Sequence, residues 1–218
     1  ASKSSTSTSP QSTRTGCSAT ALKGARLGLL AADSARRLLG APRLARWATG
    51  LHQQFGTPLW TPAMPQPAQP LKWIAPAASG KPRVVYLPAC VSRAMGPAFA
   101  DAEQTTLLDK TRALLEKAGF EVIIPAGLDN LCCGQPFTSK GYAQQGDAKR
   151  DELLAALLSA SRNGQDPIYC DTSPCTLRLV QGNADRRLRL YDPVKFIREE
   201  LLDKLEITPQ EAPVAVHV

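Results

Sequence analysis

The chain has 218 residues, 43% of them hydrophobic and 6% aromatic, with a formal net charge of +7. That is enough apolar material for a packed core, which excludes a disordered chain, and no Lys/Arg run reaches the length of a basic nucleic-acid-binding tail. Six cysteines, at positions 17, 90, 132, 133, 170 and 175, read in a chain of this length as thiols of a reducing compartment, not as a secreted disulfide framework.

Residues 1–18 are rich in Ser and Thr and have no apolar periodicity, so they read as a polar lead-in without a fold of its own. The segment lacks the basic-then-apolar order of a secretory leader, and no apolar run anywhere approaches the ~18 residues of a membrane span. Residues 19–55 carry helical spacing, clearest in Leu44, Trp47, Leu51 and Phe55, and Gly40-Ala41-Pro42 divides them into two helices. Arg26, Arg36, Arg37, Arg43 and Arg46 face a single acid, Asp33, and account for much of the net charge. Such a face is either solvated or attracted to an anionic membrane surface. Residues 56–82 hold Pro58, Pro62, Pro65, Pro67, Pro70, Pro76 and Pro82, a density that predicts an extended linker without regular structure. Trp60, Met64 and Trp73 imply that this linker packs on a neighbouring surface.

From residue 83 the pattern changes to short β-rich runs alternating with helical ones. Strands are predicted at Val84–Leu87, Glu121–Ile124, Pro167–Cys170 and Leu188–Tyr191. Helices are predicted at Glu103–Ala118, closed by Gly119, at Asp147–Ala160 through Leu153, Leu154, Leu157 and Leu158, and at Pro193–Leu205. This alternation predicts an α/β domain over residues 83–208, with a mostly parallel sheet flanked by helices, and leaves 209–218 as a separate stretch.

On that scheme Cys90 follows the first strand, Cys132 and Cys133 follow the second, and Cys170 and Cys175 end or follow the third. In a parallel sheet those strand ends share one edge, so five thiols separated by long stretches of chain converge in one crevice. A single free cysteine is ordinarily a small buried hydrophobe, and Cys17 is read so. Five together point to a metal or cluster site, to which helix N-termini and loop amides add stabilisation for thiolates. Two adjacent cysteines can face one centre only across a sharp turn, and Gly134 supplies the backbone freedom for it. Zinc is the rival metal, although the only knuckle-like spacing is between Cys170 and Cys175, with four residues intervening. A thiol–disulfide enzyme is weakly supported, because vicinal cysteines form a strained ring. His52 and His217 read as structural residues.

The segments VVYLPACVSR, LCCGQPFTSKG and CDTSPCT closely resemble the first cysteine-rich CCG repeat of FAD-linked iron–sulfur D-lactate (D-2-hydroxy acid) dehydrogenases. The same motif occurs in glycolate oxidase iron–sulfur subunits and in heterodisulfide reductase subunits. The resemblance covers roughly residues 83–205 and implies a Rossmann-like CCG domain with Cys90, Cys132, Cys133 and Cys175 as ligands of a 4Fe–4S-type cluster. Cys170 stands where the family often has another residue; it is a spare thiol or a fifth candidate.

By the same resemblance, the parent protein carries flavin (FAD) and ferredoxin-like domains and a second CCG repeat. It passes electrons to a cytochrome or quinone acceptor, is cytoplasmic or peripheral at the inner membrane, and binds no nucleic acid. The tail APVAVHV is similar to the opening strand of a second repeat, so the chain is expected to be part of a longer protein. The expected role is an electron-relay segment with no catalytic residue of its own; the alternative is a zinc-stabilised structural or docking module.

Overall fold

The computed structural model describes residues 17–69, 80–185, 187–209 and 213, with side chains from residue 23 onward. Pro70, Trp73, Pro76, His217 and most of 209–218 lie outside the described residues, as does the side chain of Cys17.

Two helices, α1 (Cys17–Leu39) and α2 (Ala41–Phe55), form the expected pair. Gly40 parts them at φ 77°, and Pro42 lies in the first turn of α2, where a missing N–H costs no hydrogen bond. The first helix starts at Cys17, within the stretch 1–18 predicted to have no fold. On α2 the apolar stripe stays largely in solvent, since Trp47 is 67% and Phe55 71% exposed.

The α/β unit runs through β1 (Pro65–Pro67), β2 (Arg83–Leu87), α3 (Cys90–Ala94), β3 (Met95–Ala98), α4 (Leu107–Lys117) and β4 (Glu121–Ile123). It continues with α5 (Gln135–Thr138), α6 (Ala143–Ala160), β5 (Ile168–Cys170), α7 (Ser173–Gly182), β6 (Leu190–Tyr191) and α8 (Pro193–Phe196). The chain after α8 goes on as a π-turn over 197–201 and a 3₁₀ turn over 202–204. The predicted α/β fold is the one observed: a four-stranded parallel sheet in the order β4-β2-β5-β6, flanked by helices.

Three differences from the sequence reading have local causes. The Pro-rich 56–82 stretch is not free of regular structure, because β1 pairs antiparallel with β3; a two-stranded ribbon has edges on which proline's missing N–H is tolerated. Trp60 in this stretch does pack: it is buried with its ring 6.0 Å from that of Phe99. Helix α4 starts at Leu107, not Glu103, because Thr106 caps it by accepting the Asp109 N–H at 3.1 Å. Helix α7, absent from the predicted helices, starts immediately after Thr172, with Pro174 in its first turn.

The strand alternation sorts the core into two layers. Val84, Tyr86 and Tyr169 point to the side packed by Leu115, Phe120, Phe196 and Leu201. Val85, Leu87, Ile168 and Cys170 point to the other, with Leu153, Leu157 and Leu179 from α6 and α7, and with Cys133 and Cys175. The thiols therefore belong to the α6/α7 side of the sheet.

The turn that directs the cysteine pair into that layer rests on two glycines. Gly134 has φ 82°, and a methyl carbon on it would lie 2.0 Å from the Gly146 carbonyl oxygen. Gly146 is buried inside α6, so α5 and α6 approach backbone to backbone at this point. Gly134→Ala is expected to lower stability by about 2–4 kcal/mol in urea unfolding, through positive φ and overpacking together. An unchanged unfolding midpoint would show that the turn is not held by this contact.

Candidate functional site

Each cysteine reaches the site from the carboxyl edge of a strand. Cys90 opens α3 three residues beyond the end of β2. Cys132 and Cys133 follow a 3₁₀ turn at Leu128–Asn130 that brings the chain back from β4. Cys170 ends β5, and Cys175 lies in the first turn of α7, its N–H donating to the Thr172 carbonyl at 3.1 Å. β2 is flanked by β4 on one side and β5 on the other, so the chain reverses direction across the sheet beside the cysteines. This is the place where open α/β sheets hold ligands.

The five thiols adjoin one another. Cys133 and Cys175 share a sulfur–sulfur hydrogen bond, while Cys90 beside Cys132, Cys132 beside Cys133, and Cys170 beside Cys175 shift one another's acidity. The Sγ atoms of Cys133 and Cys175 are 3.1 Å apart, well beyond the ~2.05 Å of a disulfide bond, and all five are free thiols. Four are buried and Cys90 is half-buried.

These neighbours separate their acidities. The neighbouring side chains of Cys132 and Cys175 hold the Cys133 thiol down to about 4. Cys175, beside Cys133 and Cys170 and buried as well, is pushed far up. Cys90 is raised by neighbouring Cys132 and then by burial. Cys132 is raised chiefly by Cys133, while Cys170 is lowered chiefly by Cys175. Backbone N–H groups add to this: Gly134 donates to Cys132 Sγ at 3.4 Å, and amides of Val91, Gln135 and Thr172 serve Cys90, Cys133 and Cys170. Amide and thiol neighbours of this kind favour the thiolate form of a cysteine.

Two polar residues missed by the sequence reading hold the loops together. Asp171 accepts from the Ala89 N–H at 2.8 Å, from Tyr86 Oη at 3.2 Å and from Thr172 Oγ1 at 3.0 Å. It thereby ties the Cys90 loop to the Cys170–Cys175 loop. Arg93 spans from α3 to the Cys132 loop, donating to the carbonyls of Leu128 at 2.5 Å and Leu131 at 2.8 Å. The spacing of Arg93 three residues after Cys90 placed it on the cysteine's side of a helix, but α3 was read as loop. Behind the thiols, Arg178 of α7 binds Asp147 and, at 3.1 Å, Thr138 Oγ1, joining α5, α6 and α7.

The cavity beside the thiols measures about 10 Å³ and is lined also by Leu87, Pro88, Arg93, Leu131 and Leu153. Among the described residues no three His, Cys, Asp or Glu side chains ring a single point as ligands of one ion. What fits a thiolate-bound metal or cluster is the donor set: five free thiols, amides directed at sulfur, an apolar wall and one guanidinium. The cysteine side chains would have to part to admit it. His52 is not among the cavity residues; its ring Nδ1 is 2.6 Å from the Thr57 carbonyl oxygen, just beyond the end of α2.

Among the described residues no helix is long and apolar enough to cross a membrane. No curated protein and no solved structure matches the chain. Residues 84–180, from β2 through α7 and including all five of these cysteines, match the family model of the CCG cysteine-rich domain, a match consistent with a metal- or iron–sulfur-binding module.

Proposed function

We propose that the α/β unit binds an iron–sulfur cluster of the 4Fe–4S type through Cys90, Cys132, Cys133 and Cys175. In this reading it serves as an electron relay in a FAD-dependent D-lactate or related D-2-hydroxy acid dehydrogenase. The observation that carries the reading is the gathering of five free thiols around one cavity at the switch point of the sheet. Such a cluster, when bound, accepts and passes on electrons singly. The chain's own residues supply the thiolates, the amides that temper them, and an apolar wall of Leu87, Leu131 and Leu153 that keeps water away. Cys170 is fully buried and contacts the Thr172 carbonyl at 3.6 Å. It fits the part of a neighbour to the ligand set. The flavin and the acceptor belong to other domains or partners of the parent protein.

Anaerobically purified protein is expected to contain iron and acid-labile sulfide, with a broad visible absorbance that bleaches on reduction and an EPR signal in the reduced state. Cys133→Ser is expected to lose all three, and Cys170→Ser to keep them. Stoichiometric zinc without colour in the wild type would overturn the cluster in favour of a structural zinc module.

We propose further that the α1/α2 pair rests on an anionic membrane surface. Residues 1–59 contain eight Lys or Arg and one acid, Asp33, so the whole net charge of +7 lies there and the remainder is balanced. Asp33 is itself taken up by Arg36 and Arg37. On the same helix pair Leu38, Trp47, Leu51 and Phe55 stay exposed, with Arg43 and Arg46 beside the α2 stripe. A basic helix with exposed Trp, Leu and Phe suits the interface of an anionic bilayer. In flotation assays the protein is expected to bind vesicles containing phosphatidylglycerol and not neutral ones, and R43E/R46E to abolish binding. Equal behaviour of wild type and double variant would contradict this.

A further inference from the structure

Arg93 is the one charged side chain lining the thiol cavity, and it is 9% exposed. Its two terminal nitrogens donate to the Leu128 and Leu131 carbonyls, while its Nε is buried with no hydrogen-bond partner. Among the described residues no carboxylate forms an ion pair with it. A guanidinium does not give up its proton in proteins, so burial cannot be relieved by neutralisation as it can for lysine. A buried, unpaired cation is strongly unfavourable, and two neutral carbonyls do not supply the missing negative charge. The groups that face it across the cavity are Cys90 and Cys132, with Asp129 and Asp171 also within its field. Neither aspartate is hydrogen-bonded to it, and Asp171 is taken up by Ala89, Tyr86 and Thr172.

We infer that Arg93 is the built-in counter-cation for an anionic, thiolate-ligated metal group held by the neighbouring cysteines, and that it sets both the affinity and the potential of that group. Four thiolates around a doubly positive centre leave a net negative assembly, whether the centre is one metal ion or an oxidised cluster. The guanidinium offsets that charge in a region where water cannot. Its location three residues after Cys90, on α3, couples it rigidly to a ligand loop. Its two carbonyl contacts fix it to the Cys132 loop, so it is a positioning residue as well as a charge. The inference rests on the reading of the thiols as a metal site and assigns a role to a residue outside the ligand set.

Co²⁺ titration of the anaerobic, reduced full chain, followed by its thiolate absorbance, tests this together with redox titration of the iron-loaded protein. Arg93→Gln, which removes the charge but can still donate to a carbonyl, is expected to weaken Co²⁺ binding roughly 10–100-fold and to shift the midpoint potential to a more negative value. Arg93→Lys is expected to stay within a few-fold of wild type in affinity. In the metal-free state Arg93→Gln is expected to unfold at the same temperature as wild type or higher, because an unpaired buried charge has been removed. If Arg93→Gln binds Co²⁺ as tightly as wild type and keeps its potential, the counter-cation role is overturned, whereas the thiol site stands. If wild type takes up neither Co²⁺ nor iron, the metal-site reading falls and the inference falls with it.

Discussion

Parallel pairing of β2 with both β4 and β5 is the constraint on which the site depends. The register Val85↔Ile123 and Leu87↔Cys170 places the ends of three strands at one edge, although Cys90 and Cys175 are far apart in sequence. Antiparallel pairing of any one of these strands would send its cysteine to the opposite edge. The period-two alternation then decides which side of the edge the thiols occupy, because Cys170 shares its face with Leu87 and Ile168 and is covered by α6 and α7. Backbone topology thus brings the sulfurs together before any metal chemistry is invoked.

Once together, the thiols create an electrostatic problem in a poorly hydrated place. Neighbouring sulfurs bear on one another, so the thiols of Cys133 and Cys170 are lowered while those of Cys90, Cys132 and Cys175 are raised. The loop amides and the Asp171 clamp make the arrangement rigid, and Arg93 adds a positive charge for which the described residues supply no matching ion pair. An apolar core of the same volume would need none of these groups. In the proposed function these groups prepare the place for an anionic group that the thiols complete.

Much of the fold was legible because it is local. The Val84–Leu87 run, the helix through Leu153 and Leu157, and the Gly119 stop carry their periodicity and punctuation in a few residues each. Gly134 was legible for a chemical reason, since adjacent cysteines cannot converge without a left-handed turn. What was not legible depends on distant partners. Pro65–Pro67 becomes a strand only because Met95–Ala98 lies beside it. Pro174 starts a helix, α7, that no apolar periodicity announces. Gly146 looks like an ordinary weak spot in a helix until Gly134 is placed against it. Arg93 sits within a quoted motif, yet its burial against the Leu128–Leu131 loop follows from tertiary packing and from no local pattern.

The most direct test of the central claim is protection mapping of the cysteines by mass spectrometry. Anaerobically prepared, iron-containing protein is unfolded briefly in alkylating reagent, with and without prior stripping by a chelator, and each cysteine is scored separately. The account predicts that Cys90, Cys132, Cys133 and Cys175 are labelled slowly as long as the metal is bound, and rapidly once it is removed. Cys17 serves as the unprotected reference. Equal labelling of the four cysteines before and after stripping would contradict the claim that these loops converge on one thiolate-held centre.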